Sequence, residues 1–140
     1  MSRIFWDTNL FIYLLEDFGE LSERVAQIRE RMLHRGDELC TSALTLGEVL
    51  VKPLELGNEA LARSFEDAIA ATTLVVAFDV ATARVFAGLR ADRSIRPPDA
   101  IQLACAAQAR TDLFITNDDR LTGKRVPGIQ FISSLTHAPI

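Results

Sequence analysis

A chain of 140 residues, 49% of them hydrophobic, can bury a sizeable core in one compact domain, which excludes a disordered chain and leaves little room for a second domain. No apolar run approaches the roughly 18 residues of a membrane span, and residues 1–7 show no signal-peptide architecture, so a cytoplasmic protein is expected. The net charge of −4 lacks the basic surface usual in nucleic-acid binders, an objection that weakens only if acids gather at one site and divalent metal neutralises them there.

In chain order, Arg3–Trp6 reads as a short buried strand ending at Asp7, and residues 10–15 continue as an apolar helix. A second helix is expected over residues 20–34, with Leu21, Val25, Ile28 and Met32 at helical spacing and Gly36 as its cap. Residues 38–41 are a short strand. They are followed by a helix over residues 44–56 that Pro53 should kink or divide. Asn58 caps a helix over residues 59–71, and the valine-rich run 74–78 is the clearest strand of the chain. Asp79 caps a helix to about Ala91. Residues 93–98 form a loop, and an alanine-rich helix spans residues 99–110. A strand over 113–116, a polar loop over 117–127 and a last strand over 129–132 complete the pattern. Short apolar strands alternating with helices imply right-handed crossovers, hence a three-layer α/β domain whose central parallel sheet is flanked by helices.

Ligands of open parallel sheets bind beyond the carboxyl ends of the strands. Asp7 and Asp118 lie at such ends, Asp99 opens a helix after Pro97 and Pro98, and Glu48 sits one turn into a helix that follows a strand. Taken singly, each has an ordinary reading. Asp7 and Asp99 serve as helix starts, Asp118 belongs to an Asn-Asp-Asp turn, and Glu48 reaches water from a helix edge. Glu48 resists that reading most, because Leu44, Leu46, Val49, Leu50 and Val51 surround it in sequence and an unpaired carboxylate there is costly to desolvate. Together the four suggest a hard-cation site, since Mg²⁺ and Mn²⁺ prefer carboxylate oxygen.

Other chemistries fail for want of residues. His34 and His137 form no ligand cluster, which excludes a zinc site and a histidine-pair ribonuclease. Cys40 and Cys105 have no CxxC partners and read as small buried thiols. No GxSxG elbow, GxxxxGK[ST] loop or strand-following GxGxxG is present.

Four segments resemble the PIN domain family and, within it, VapC-type toxins. They are Arg3-Ile4-Phe5-Trp6-Asp7-Thr8-Asn9, Thr41-Ser42-Ala43-Leu44-Thr45-Leu46-Gly47-Glu48-Val49, Pro98-Asp99-Ala100-Ile101-Gln102-Leu103-Ala104, and Asp112-Leu113-Phe114-Ile115-Thr116-Asn117-Asp118, with Pro127-Gly128-Ile129 after the last. The resemblance spans the whole chain, in order, and implies one PIN domain over residues 1–140. It implies an Mg²⁺- or Mn²⁺-dependent endoribonuclease in which Asp7, Glu48, Asp99 and Asp118 surround one or two ions. Asp7 and Asp99 are then the most direct ligands, and Asn9 and Thr116 orient the carboxylates. Asp119 is the alternative to Asp118 as the fourth acid. Arg93, Arg96, Arg120, Lys124 and Arg125, in the loops beside the third and fourth acids, are candidates for gripping RNA phosphates, or simply a solvated loop surface.

The resemblance further implies a VapB-like antitoxin partner and a homodimer. Three other readings compete. One is an RNA-processing PIN nuclease without an antitoxin, and another is a catalytically idle PIN-fold interaction module. A phosphoacceptor receiver domain is the third, and it would need an acidic pair where Asp7 stands alone.

Overall fold

The computed structural model describes residues 1–140. Its core is a five-stranded sheet in the order β3-β2-β1-β4-β5, formed by β1 (Arg3–Trp6), β2 (Glu38–Ser42), β3 (Leu74–Val76), β4 (Thr111–Thr116) and β5 (Ile129–Ser134). Every pairing is parallel. Six helices connect the strands: α1 (Thr8–Leu15), α2 (Glu20–Arg35), α3 (Ala43–Glu55), α4 (Glu59–Thr72), α5 (Val80–Leu89) and α6 (Pro97–Gln108). No helix is long and apolar enough to cross a membrane.

Strand alternation builds the three layers. Ile4 and Trp6 of β1, with Leu113 and Ile115 of β4, face one side and pack with Leu10, Phe11, Val25, Ile28, Val49 and Ile69 of α1 to α4. Phe5 and Phe114 face the other side, stacked with ring centroids 5.1 Å apart, and pack with Ala100, Leu103 and Ala106 of α6. Cys40 and Cys105 are buried free thiols. Burial pushes their pKa values up to about 12 and about 11, which keeps both protonated and inert.

Several boundaries differ from the sequence expectation for identifiable reasons. The run 74–78 yields only Leu74–Val76, because β3 is an edge strand bonded to β2 alone. Phe78 leaves the sheet to meet Phe86 edge-on at 5.8 Å. Pro53 does not divide α3, which continues through it to Glu55. Helix α6 begins two residues before Asp99. Pro97 and Pro98 take the first positions, where a missing N–H costs nothing, and Asp99 sits inside the first turn instead of opening the helix. Gly36 closes α2 in the left-handed region (φ 72°), as expected from the sequence.

The chain steps outward from β1 to β2 and β3, then returns across β1 to add β4 and β5 on the other side. The carboxyl ends of β1 and β4 therefore flank the point where the connections diverge, the place where such sheets form a crevice.

Candidate active site

At that crevice lies a cleft of about 390 Å³ lined by Asp7, Thr8, Asn9, Ile12, Glu48, Val51, Pro98, Asp99, Gln102 and Asp118. All four acids singled out in the sequence line it, and Asp119 does not. They arrive from the end of β1, the middle of α3, the first turn of α6 and the residues just after β4.

Asp7 is the most buried of the four. One oxygen accepts from the Thr8 backbone N–H at 2.8 Å, and the other from the Thr116 hydroxyl at 2.8 Å. Its own N–H donates to the Ile115 carbonyl at 3.0 Å, which clamps the end of β1 to β4. Burial raises the Asp7 pKa, the two hydrogen bonds oppose that, and the charges of Asp99 and Glu48 push it up further. Asp7 makes no ion pair. Its capping of α1 and its place in the cleft are compatible, because the cap uses only one of its two oxygens.

Asp99 is likewise raised, first by burial and then by Asp118, with Arg120 and Arg96 opposing and Glu48 adding to the rise. Asp118 is held below the usual carboxylate range by Arg120, whose Nε donates to it at 2.9 Å and whose Nη2 forms an ion pair with its other oxygen. The same Nη2 lies 3.7 Å from Asp99. Asp118 also caps the short 3₁₀ turn Asp119–Leu121, so turn chemistry and cleft position again coexist. Glu48 is exposed toward the cleft, and its Oε1 accepts from the Thr8 hydroxyl at 2.7 Å.

Two threonines therefore link the acids. Thr8 serves Asp7 through its N–H and Glu48 through its hydroxyl, while Thr116 donates to Asp7 and accepts from the Asp118 N–H at 3.0 Å. Thr116, singled out in the sequence, thus contacts both Asp7 and Asp118. Asn9 lines the cleft, exposed, without contacting an acid. The hydrogen bonds to Asp7 and Glu48 come from Thr8, which stands next to Asp7 in the sequence and was not among the expected site residues. Gln102 was also passed over. Its signal was a lone amide three residues after Asp99 in a run of small and apolar residues.

The rim arginines divide by contact. Arg93 and Arg96 are exposed, and Arg96 is near enough to lower the pKa of Asp99 and Asp118. Lys124 is engaged elsewhere, bonding Asp92 at 2.8 Å and the Ser94 hydroxyl, so it ties the loop before α6 to the loop after β4. Arg125 faces a separate groove near β5. Both histidines are exposed, outside the cleft.

The donor set suits a hard divalent cation. The cleft holds only carboxylates as charged ligands, no histidine or cysteine, and Asp7 has no positive partner. The acids are not gathered into a coordination sphere as they stand, and no three such side chains are close enough to hold an ion. The convergence expected from sequence is thus met at the scale of the cleft but not at that of ligand distances. The Arg120 guanidinium on Asp118 supplies positive charge at that end.

A family model described as PIN domain matches residues 4–126. No curated protein matches significantly. Among solved structures, the chain is similar to VapBC2 from Rickettsia felis bound to a promoter DNA fragment, with a TM-score of 0.74 and 14% identity over 94% of this chain and 98% of that one. It is also similar to DNA-bound VapBC from Salmonella typhimurium, with a TM-score of 0.70 and 23% identity over 96% and 99%. A toxin–antitoxin complex from Klebsiella pneumoniae matches with a TM-score of 0.65 and 25% identity over 90% and 94%. At 14% and 23% identity the first two establish a shared fold.

Proposed function

The chain belongs to the PIN domain family, and from that premise we propose that it is a divalent-metal-dependent endoribonuclease, the VapC-like toxin of a toxin–antitoxin pair. The observation that carries this reading is the meeting of Asp7, Glu48, Asp99 and Asp118 from four elements at one cleft, with Asp7 buried and without a cationic partner. In this reading Asp7 and Asp99 hold Mg²⁺ or Mn²⁺ most directly, and Glu48 and Asp118 complete the site. The ion supplies Lewis acidity at phosphate and lowers the pKa of water toward neutrality.

The chain's own residues perform the rest. Thr8 and Thr116 orient the carboxylates through their hydrogen bonds to Asp7 and Glu48. Arg96 and Arg120 stand close to Asp99 and Asp118, and with the exposed Arg93 they are the guanidinium groups that grip the phosphates flanking the cut. The net charge of −4 agrees with this, because attraction for RNA is then local to the loaded cleft instead of spread over the surface.

The small antitoxin partner has a place to bind. A narrow groove between α1, α3 and α4 is lined by Ile12, Leu15, Val49 and Phe65 with Glu16, Glu48 and Lys52, and Ile12 and Glu48 line the acidic cleft as well. A partner's apolar side chain seated there would bring a neighbouring basic side chain close to the acids. The likeness to the Klebsiella pneumoniae toxin–antitoxin complex supports an antitoxin partner, though not its place on the surface, and a homodimer is part of the same reading.

Purified protein should cut RNA in Mg²⁺ or Mn²⁺ and not in chelator, and Asp99→Asn should abolish cutting. Induction should stop growth, and a small neighbouring gene should restore it. Cleavage in vitro with unaffected growth would instead make the protein an RNA-processing nuclease. Cleavage by Asp99→Asn at the wild-type rate would end the mechanism.

A further inference from the structure

We propose that Gln102 is a positioning residue of the acidic site, its buried side-chain amide fixing the direction of a hydroxyl relay that aims the Glu48 carboxylate. The inference rests on the metal-site reading above. Gln102 lies one turn after Asp99 on the same face of α6 and is 2% exposed. Its Nε2 donates to the Thr8 hydroxyl at 2.9 Å and to the Thr45 hydroxyl at 2.8 Å, while its Oε1 accepts from the Ser42 hydroxyl. Thr8 is buried, and Thr45 and Ser42 wholly so. One side chain thus joins α6, α1, α3 and the end of β2, and three of these elements carry or adjoin an acid of the cleft.

Proton counting makes the arrangement directional. A carboxylate only accepts, so the single hydroxyl proton of Thr8 goes to Glu48 at 2.7 Å. The Thr8 oxygen is then an acceptor, and whatever faces it from α6 must donate. An amide turned the other way would set its carbonyl against both Thr8 and Thr45. It would draw the Thr8 proton inward and leave Glu48 without a donor. Ser42, offering its proton to Oε1, holds the amide in the productive orientation. The same Thr8 hydrogen-bonds Asp7 through its N–H, so a disturbance at Gln102 reaches two acids by way of one residue. The Thr41 hydroxyl, 2.8 Å from both the Trp6 carbonyl and Thr45, anchors the network to β1.

The test is Mn²⁺ affinity, read from the paramagnetic resonance of free aqueous Mn²⁺, for full-length wild type, Gln102→Met, Thr8→Val, the double variant and Thr8→Ser. Gln102→Met keeps length and volume but cannot donate, and it should weaken binding about 10-fold, as loss of an orienting partner does. Thr8→Val should weaken it at least as much, and Thr8→Ser should retain most of it. In the Thr8→Val background Gln102→Met should cost nothing more, because its route to Glu48 is already cut. A full second loss there would show that Gln102 acts by packing, and would overturn the proposal. Wild-type affinity in Gln102→Met would overturn it alone, whereas no Mn²⁺ binding by wild type would end both this inference and the metal-site reading. If Gln102→Met does not fold, the wild-type Gln102 side-chain NH₂ resonances decide: they should shift on Mg²⁺ titration, and their failure to move would refute the relay.

Discussion

At the scale of single residues, the cleft places negative charges close together and leaves the most buried one unpaired. The Asp7 pKa is raised, so without metal its ionised form destabilises the folded chain. That penalty is absent below the ordinary aspartate value of 3.8, grows as pH climbs toward the raised folded value, and is complete above it. Asp7→Asn keeps the cap through its one oxygen and turns its NH₂ toward Thr116, whose hydroxyl then accepts; by removing the unpaired charge it should raise metal-free stability at neutral pH by roughly 0.5–2 kcal/mol. The gain should fade as pH falls toward the ordinary aspartate value, and thermal melts in chelator across pH will check it. The same change should remove nuclease activity. Arg120 supports a second prediction. Its guanidinium engages Asp118 and approaches Asp99, so it competes with any ion for those oxygens. Arg120→Gln should tighten Mn²⁺ binding several-fold by calorimetry while weakening RNA binding. Unchanged Mn²⁺ affinity would show that the guanidinium does not compete.

At the scale of elements, helix starts and strand ends aim the chemistry. Asp7 closes β1 and caps α1 together, Ser42 closes β2 and caps α3, and paired prolines set the first turn of α6 so that Asp99 and Gln102 face the cleft. The turn into β5 is as constrained. Gly128 has φ 97°, and a Cβ there would lie 2.6 Å from the Ala107 carbonyl oxygen at the end of α6. Gly128→Ala combines backbone strain with a collision against backbone, and should cost about 1–3 kcal/mol in urea denaturation. Because that turn lies at the opposite end of β4 from Asp118, Mn²⁺ affinity of the folded fraction should be retained. These features show why the helices were read almost in full from the sequence, whereas β3 was overestimated. Helical periodicity and capping residues act locally. The length of an edge strand depends on how far its single neighbour extends.

At the scale of the molecule, the reversal of strand order at β1 brings together acids separated by up to 111 positions, from Asp7 to Asp118. A ligand that binds only this assembled state must stabilise it. Mn²⁺ at about 100 times its dissociation constant should add roughly 2.7 kcal/mol. The rise in melting temperature should appear in wild type and vanish in Asp99→Asn, and an equal rise in both would place the ion elsewhere. The sequence by itself determined the α/β class, the order of elements and the four acids, because alternation, helical spacing and caps are written within a few residues of one another. It left three matters to the tertiary structure: Asp118 and not Asp119 at the cleft, the hydrogen bonds to Asp7 and Glu48 from Thr8 and not from Asn9, and the contacts from Gln102 through Thr8 to Glu48. Each depends on which side chains become neighbours once strands from distant parts of the chain lie side by side, and no periodicity along the chain encodes a contact made across it.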